Sequence, residues 1–393
     1  MSQNEQLDNF RATVREWMVQ NVPRDWRARQ AGDNIEEFIA SQREWLSRLV
    51  AAGYATPHWP EGWPGGGRSL AEQVALFEEI ARVDAPRMSL YFVSLYHAAM
   101  TLVECGTPEQ QARYLPGILK GDVWVQGFSE PGAGSDLAAL KTRAERKGES
   151  YIVNGQKVWS TLGQFADYCL LLVRTDPTAK KQAGITFLLM DMKSKGVTVR
   201  PIRQVTGDEE FAEIFLDDVE IPVENRVGAE NEGWGVAQVT LSSERGLTLV
   251  ELTERMYRSL WRLIAAAEAP PAGPDVETSR AMVDLIGRIE ALRALVGEFM
   301  ARRIAGQEAI GDASILKLAY ARTARAYTEM GLRLQGISGQ RFTPYILGAG
   351  YETGNWMFDF LNSYQFNIAG GANEIQRNII SERMLMLPRE KMA

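Results

Sequence analysis

The sequence feature that most constrains the fold is a change of hydrophobic pattern, from helical to strand-like and back. Residues 1–120 carry apolar side chains at helical spacing. Near Val123 the segments become short and rich in β-branched and aromatic residues, and helical spacing resumes from Glu230. The 393 residues suffice for about three domains of ~150 residues. The pattern predicts an α+β chain with an N-terminal helical domain (1–122), a middle antiparallel β-barrel or β-sandwich domain (123–228) and a C-terminal four-helix-bundle-like domain (229–393).

Local signals mark the beginnings of the N-terminal helices. Ser69 with Glu72, and Thr107 with Gln110, have the spacing of a capping box, and Pro108 suits the first helical position. The glycine- and proline-rich residues 58–68 predict an irregular loop. An apolar face predicts the first helix and consists of Leu7, Phe10, Val14, Trp17 and Met18.

The middle region predicts strands without intervening helices, which favours a barrel or a sandwich over a parallel sheet. The pair Asn154-Gly155, between residues 151–153 (YIV) and 156–159 (QKVW), predicts a β-hairpin. Further strands are predicted at residues 168–174, 185–190, 197–200 and 213–216. In the C-terminal region, residues 270–274 (PPAGP) predict a loop between two long helices.

Histidine and cysteine are scarce. The chain has only His58, His97, Cys105 and Cys169, so a disulfide scaffold is excluded and a zinc site or a histidine-based triad is hard to build. We interpret all four side chains as structural and predict no metal site. The net charge of −7 disfavours nucleic-acid binding. If the protein is an enzyme, a carboxylate or a bound cofactor carries the chemistry.

Neither a targeting signal nor a membrane segment is evident. The first ten residues are polar and acidic, and they lack a basic stretch followed by an apolar run. The longest apolar stretches, at 169–173 and 185–190, are too short to span a bilayer. We therefore expect a soluble, cytoplasmic protein without membrane insertion.

Residues 126–136, QGFSEPGAGSD, form a glycine-rich turn after a predicted strand. Such a turn exposes backbone N–H groups and the hydroxyls of Ser129 and Ser135 to an anionic or carbonyl-rich ligand. As a bare Gly-x-Gly it would be an ordinary surface turn. The whole string resembles the flavin-contacting signature of the acyl-CoA dehydrogenase family. Four further regions resemble the same family in the same order: 154–161, 217–228, the pair 231–235 and 241–246, and 375–389.

The resemblance implies an FAD-dependent α,β-dehydrogenation of an acyl-CoA thioester to the trans-2-enoyl-CoA. A carboxylate removes the α-proton and flavin N5 accepts the β-hydrogen as hydride, so neither histidine nor cysteine is required. The family also implies an electron acceptor such as an electron-transfer flavoprotein. The expected assembly is a homodimer, a homotetramer or a heterotetramer with a paired subunit.

The resemblance assigns cofactor contacts by position. Gln126, Phe128 and Ser129 match residues at the pyrimidine side of the flavin, and Trp159 and Thr161 match residues beside N5. Three further matches are Ser135, near both the flavin and the CoA chain, and Ala372 and Glu374 in the last-helix tract. Family members often carry an Arg-x-x-Phe-Gly element that reaches a neighbouring subunit's FAD. Residues 265–274, AAAEAPPAGP, contain no such element.

The resemblance leaves two positions for the catalytic base. In many members the base lies in the C-terminal tract, but the matching residue here is Gly370, which retains only a backbone N–H for the thioester oxygen. Other branches place the base on a bundle helix directly before an arginine, and Glu244 with Arg245 matches that arrangement. We expect Glu244 to be the base and Arg245 to contact the CoA phosphates. The alternative is that Glu244 is a helix-surface acid paired with an arginine.

The resemblance leaves the substrate and the assembly open. Gly370 and Gly371 remove bulk beside the substrate, which favours a bulky or branched acyl group. One alternative is a non-catalytic or half-site subunit of a hetero-oligomeric dehydrogenase. Another is a dehydrogenase or oxidase that acts on a carrier-protein thioester.

Overall fold

The computed structural model describes residues 2–30, 34–242, 246–267, 275–341, 353 and 355–389. Its N-terminal part is helical, as predicted, and contains a π-helical segment, Val93–Ala98, that continues directly into a helix. The helices are α1 (Gln3–Asn21), α2 (Trp26–Gln30), α3 (Ile35–Ala51), α4 (Leu70–Arg82), α5 (Ala99–Cys105) and α6 (Pro108–Lys120).

The predicted helix starts are confirmed. Ser69 and Glu72 form a reciprocal capping box at α4, and Thr107 and Gln110 form another at α6, where Pro108 is the first helical residue. Residues 58–68 form turns, in agreement with the predicted loop. Side-chain oxygens therefore satisfy backbone N–H groups that have no acceptor within the helix.

The middle part is one eight-stranded sheet with the order β6-β7-β3-β2-β4-β5-β8, in which β1 pairs with β4. Most pairings are antiparallel, but β1–β4 and β2–β4 are parallel. The strands are β1 (Trp124–Gly127), β2 (Arg143–Lys147), β3 (Ser150–Thr161), β4 (Tyr168–Arg174), β5 (Ile185–Asp191), β6 (Val197–Ile202), β7 (Phe211–Pro222) and β8 (Arg226–Val227).

The prediction of a hairpin turn at Asn154-Gly155 is wrong. Both residues lie inside β3, and the β2–β3 hairpin turns at Gly148, where φ is +62°. The Asn154 amide hydrogen-bonds Asp218 on β7 instead of closing a turn. Gly155 lies at a register shift, and a Cβ there would be 2.5 Å from the hydroxyl oxygen of Thr142. The glycine thus permits a close approach of strands within a bulge.

The sheet folds over its own apolar core, in the manner of a sandwich. Alternate residues of β4, such as Cys169 and Leu171, point into that core with Val153 of β3 and Ile214 of β7. The intervening residues of β4, such as Leu170, pack instead against the N-terminal helices. Because both faces of β4 are buried, its sequence is continuously apolar rather than alternating.

The C-terminal part is helical and packs around a second core formed mainly by α8, α9 and α10. The helices are α7 (Gly233–Ser242), α8 (Leu247–Ala267), α9 (Val276–Ile304), α10 (Asp312–Gln335), α11 (Trp356–Ser363) and α12 (Asn373–Ile379), and a π-helical turn (Ile380–Met384) follows. Phe77 of α4 inserts into this core, so the N-terminal and C-terminal helices pack directly. The loop predicted at 270–274 lies outside the described residues. Within the described chain, no helix combines the length and apolarity that a membrane crossing requires.

Candidate active site

The turn at residues 126–136, which resembles a flavin-contacting signature, begins at the end of β1. Gln126 lies on β1, and its Nε2 atom is buried without a hydrogen-bond partner among the described residues. Phe128 is buried against Phe187, Ser129 is half-buried, and Ser135 is exposed. A buried amide donor without an acceptor is costly unless a ligand completes it. The turn therefore offers a hydrogen-bond donor and two hydroxyls to a bound molecule.

A buried ion pair fastens this turn to β3. The Nζ of Lys157, a fully buried residue, lies 2.8 Å from Oε1 of Glu130 and donates to the carbonyl of Phe128 at 3.2 Å. Glu130 also accepts from the backbone N–H groups of Lys141 and Thr142. Burial raises the pKa of Glu130, but Lys157 and these amides together hold it below its usual value. The first half of the turn is therefore fastened to β3 and to residues 141–142.

Trp159 is the most unusual residue of the site. It lies on β3, yet its side chain is 57% exposed and its φ is +62°, a left-handed conformation that is rare for a bulky residue. Phe211 of β7 meets its ring edge-on, with the ring centroids 6.0 Å apart. Ser160 donates to the carbonyl of Gln126 at 3.0 Å, so β3 and β1 are joined next to the tryptophan. Backbone strain combined with an exposed aromatic face is typical of a functional site.

Together these residues fit a flavin. Trp159 offers a flat apolar face, and Gln126 and Ser129 offer hydrogen-bonding groups of the kind that a pyrimidine edge needs. Thr161, half-buried, ends the same strand two residues beyond the tryptophan. The structure thus brings together the predicted β1 and β3 contacts, whereas Ser135 lies farther along the turn.

The C-terminal tract is a separate, tightly held loop. Gly370 and Gly371 have φ values of +66° and +89°, and Gln376 Nε2 donates to both of their carbonyls. Lys317 of α10 donates to the carbonyl of Gly371 at 2.8 Å and to the side chain of Asn373 at 2.9 Å. Burial lowers the pKa of Lys317 to about 8. Both glycine carbonyls therefore accept hydrogen bonds. The Gly370 N–H, in contrast, has no acceptor among the described residues.

The two predicted cofactor contacts of this tract differ in exposure. Ala372 is half-buried and precedes α12, and Glu374 is exposed in the first turn of that helix, 2.8 Å from Arg377. The pKa of Glu374 is lowered first by its own backbone N–H and then by Arg377. The tract is held by α10, and within the described chain no hydrogen bond joins it to the β1–β3 residues.

Glu244 and Arg245 lie outside the described residues, between the end of α7 at Ser242 and Gly246. Hydrogen bonds hold the end of α7, which precedes these two residues. Thr240 near the end of α7 accepts from His97 at its carbonyl and shares a 2.7 Å hydrogen bond with Thr101. His97 thus has a structural role, as predicted.

Sequence reasoning missed Lys157 and Glu130, although both lie within the segments that carry the resemblance. The usable signal was a lysine among the inward-facing positions of a strand, because a buried lysine requires a carboxylate partner. Glu210, directly before β7, was also missed. Burial raises its pKa to about 7, and Asp208 adds to that shift.

Three family models match the chain in order: the acyl-CoA dehydrogenase N-terminal domain (4–122), middle domain (126–219) and C-terminal domain (231–385). Acyl-CoA dehydrogenase IpdE1 of Mycolicibacterium smegmatis is 37% identical, covering 98% of this chain and 99% of the relative. A solved structure described as the Tcur3481-Tcur3483 steroid ACAD is 29% identical, with a TM-score of 0.83 and 98% coverage of both chains. The ChsE4-ChsE5 complex from Mycobacterium tuberculosis is 28% identical, with a TM-score of 0.82 and coverage of 99% and 100%.

Proposed function

Because the chain belongs to the acyl-CoA dehydrogenase family, whose members are FAD-dependent oxidoreductases acting on the CH–CH bond of acyl-CoA, we propose that it converts a bulky or branched acyl-CoA to the trans-2-enoyl-CoA. The observation that carries the proposal is the strained, exposed Trp159 beside the unpartnered amide of Gln126. Together they fit one face and one edge of a flavin ring. An ordinary packed strand would leave neither group in this state.

The residues that would hold FAD are the predicted set at the ends of β1 and β3, with Ser135, Ala372 and Glu374 as further contacts. The chemistry that FAD supplies when bound is acceptance of the β-hydrogen as hydride at N5. The protein orients the acyl chain against that atom and removes the α-proton.

Glu244 is the proposed base. The alternative position, Gly370, has no side chain, so a carboxylate must come from elsewhere. The Glu244 carboxylate takes the α-proton, and the electrons of that C–H bond form the new double bond as the β-hydrogen departs as hydride. The unpartnered N–H of Gly370 donates to the thioester oxygen and stabilises its developing negative charge.

The substrate proposal rests on space at the C-terminal tract. A Cβ at Gly370 would meet no atom within 4 Å, so this position leaves room for a substituent or a ring. The steroid ACAD to which the chain is similar has a name that indicates a ring-bearing substrate, which supports the same interpretation. Ser135 and Arg245 are the proposed contacts of the CoA portion.

Reduction of the bound flavin tests the proposal. The purified chain should show flavin absorbance that bleaches anaerobically with branched or ring-bearing acyl-CoA thioesters. Glu244→Gln should bind these thioesters but bleach about a hundredfold to ten-thousandfold more slowly, because general-base catalysis contributes about 10²–10⁴-fold. Glu254→Gln is the matched control on α8, where Glu254 pairs with Arg293. Wild-type bleaching by Glu244→Gln would refute the base assignment, and turnover of short straight chains alone would refute the bulky substrate.

A second candidate function is a half-site subunit of a hetero-oligomeric dehydrogenase. It is favoured by the similarity to the ChsE4-ChsE5 complex and by the missing Arg-x-x-Phe-Gly element in residues 265–274. Under this proposal the purified chain is colourless and gains flavin only when a second, non-identical chain is added. Under either proposal we expect an acceptor such as an electron-transfer flavoprotein.

A further inference from the structure

Residues 367–373, which we call the glycine loop, are tied together at their two ends. The Nδ2 atom of Asn373 donates to the side-chain oxygen of Asn367 at 2.7 Å, and Asn373 is buried. This hydrogen bond joins side chains six residues apart, so it closes the segment between them into a loop. The two ends of the glycine loop are therefore held at a fixed separation.

Lys317 of α10 holds the glycine loop from outside. Its Nζ atom donates to the carbonyl of Gly371 at 2.8 Å and to Oδ1 of Asn373 at 2.9 Å. An ammonium group has three donors and no acceptor, so it can bind two oxygens at the same time. Lys317 thus joins the carbonyl of the second glycine to the side chain that closes the loop.

Gln376 holds both glycine carbonyls from α12. Its Nε2 atom donates to the carbonyl of Gly370 at 3.0 Å and to that of Gly371 at 3.2 Å. The Gln376 side chain is buried, and a Cβ added to Gly371 would lie 2.5 Å from this nitrogen. The absence of a side chain at Gly371 therefore leaves the space that the amide occupies.

These contacts fix the peptide units on both sides of the Gly370 N–H. On the preceding side, the N–H of Ala369 donates to the carbonyl of Gln365 at 2.8 Å, and on the following side Gln376 binds the Gly370 carbonyl. Glycine adopts positive and negative φ about equally readily, so a Gly-Gly pair without these bonds would present the N–H in several directions. The donors around the loop therefore select one orientation for an N–H that has no acceptor among the described residues.

We propose that Lys317 and Gln376 are positioning residues for the dehydrogenation, which hold the glycine loop so that the Gly370 N–H stays available to the thioester oxygen. The inference rests on the proposed function and adds to it the residues that orient this donor. Each side chain acts through a glycine carbonyl rather than by touching the substrate. A donor that is aimed in advance stabilises the developing charge without reorganisation, whereas a misplacement of about 1 Å costs about a hundredfold in rate.

The test uses the FAD-loaded full-length enzyme, with its partner subunit if flavin binding needs one, and the variants Lys317→Met and Gln376→Met. Both substitutions keep a side chain of similar length and remove the donors. Only the first removes a charge, so the two variants separate positioning from charge. Arg325→Met is the control, because Arg325 is a half-buried cation of α10 that binds Glu329 and Tyr364 instead of the glycine loop.

The first readout is the anaerobic bleaching rate with a thioester that the wild type oxidises. The rate should fall about tenfold to a hundredfold in Lys317→Met and in Gln376→Met, because complete loss of one oxyanion donor costs about 10²–10³-fold. The dissociation constant of the thioester should change by less than about threefold, since a hydrogen bond that strengthens toward the transition state contributes chiefly to the rate.

The second readout is the acidity of a bound thioester, which a merely structural role would not change. In a 3-thia-acyl-CoA, sulfur replaces the β-carbon, so the α-proton can be removed but no β-hydride can leave. The anion is followed by its long-wavelength charge-transfer absorbance with the flavin, and the pH at half ionisation is measured. A tenfold weaker stabilisation of the thioester oxygen raises this midpoint by about one pH unit.

A raised midpoint in Lys317→Met and Gln376→Met, with the wild-type midpoint in Arg325→Met, supports the inference. If one of the two loop variants does not fold, the other decides. A wild-type midpoint in a folded loop variant, even one that unfolds at lower urea, would overturn the positioning role and leave the dehydrogenase function intact. An equal rise in Arg325→Met would do the same. If the wild type neither bleaches with any thioester nor ionises the 3-thia compound, the proposed function and the inference are both refuted.

Discussion

Two lysine–carboxylate pairs near the signature turn have the same length but different burial. Lys157 lies 2.8 Å from Glu130, with side-chain exposures of 0% and 8%, and Lys181 lies 2.8 Å from Asp136, with exposures of 56% and 58%. Replacing each lysine by methionine removes the charge and keeps an unbranched side chain. The two pairs differ chiefly in burial, with one further hydrogen bond from Lys157 to the Phe128 carbonyl.

The expected losses differ because only the first variant leaves a charge inside the protein. In Lys157→Met the Glu130 carboxylate keeps two backbone donors but loses its cation, and the Phe128 carbonyl loses its donor. Breaking a buried pair in this way costs about 3–5 kcal/mol. In Lys181→Met, water solvates the exposed Asp136 carboxylate, so the loss of stability is about 0–1 kcal/mol. The difference of at least ~2 kcal/mol is more than a tenfold change in the folding equilibrium.

Urea unfolding followed by circular dichroism measures the two losses, and flavin retention gives a second readout. Lys157→Met should also bind FAD more weakly, because the lysine fixes the turn that carries Ser129. Lys157→Met/Glu130→Gln should recover part of the stability, since the amide oxygen still accepts from Lys141 or Thr142 without a buried charge. Equal losses in the two lysine variants would refute the assignment of the stability to burial.

Two further predictions concern pH and the C-terminal tract. Burial lowers the pKa of His58 to about 4; its neutral form therefore contributes stability that is complete above pH ~6.5 and declines by about 1 kcal/mol per unit as the pH falls toward 4. His58→Gln should flatten this decline in unfolding measured between pH 7 and 5, and an unchanged slope would contradict it. At the tract, Gly370→Ala should cost only about 1 kcal/mol for its left-handed backbone, because a Cβ there meets nothing within 4 Å. Gly371→Ala should cost about 2–3 kcal/mol, because its Cβ would lie 2.5 Å from Gln376 Nε2 and displace the donor of both glycine carbonyls; equal unfolding losses would argue against that role.

Local patterns predicted most of the secondary structure. The apolar face of residues 7–18 belongs to α1, the capping boxes start α4 and α6, and the strand predicted at 168–174 has the observed bounds of β4. Each of these signals acts within one element, so it does not depend on what packs against the element. The order of helical, β and helical parts followed directly.

The prediction at Asn154-Gly155 failed because its cause is not local. An Asn-Gly pair suits a two-residue turn, but here the asparagine bonds Asp218 on β7 and the glycine admits Thr142 beside it. Both partners are distant in sequence. No pattern within β3 could have distinguished a bulge from a turn.

The sequence by itself determined the family, the residue types of the flavin signature and the absence of a side chain at Gly370. Only the tertiary structure decided which polar groups lack partners, because that depends on what the fold brings near them. It paired Lys157 with Glu130 across two strands and left Gln126 Nε2 unbonded beside an exposed Trp159. Burial makes such an unpaired polar group costly, and its position is therefore informative about a bound ligand.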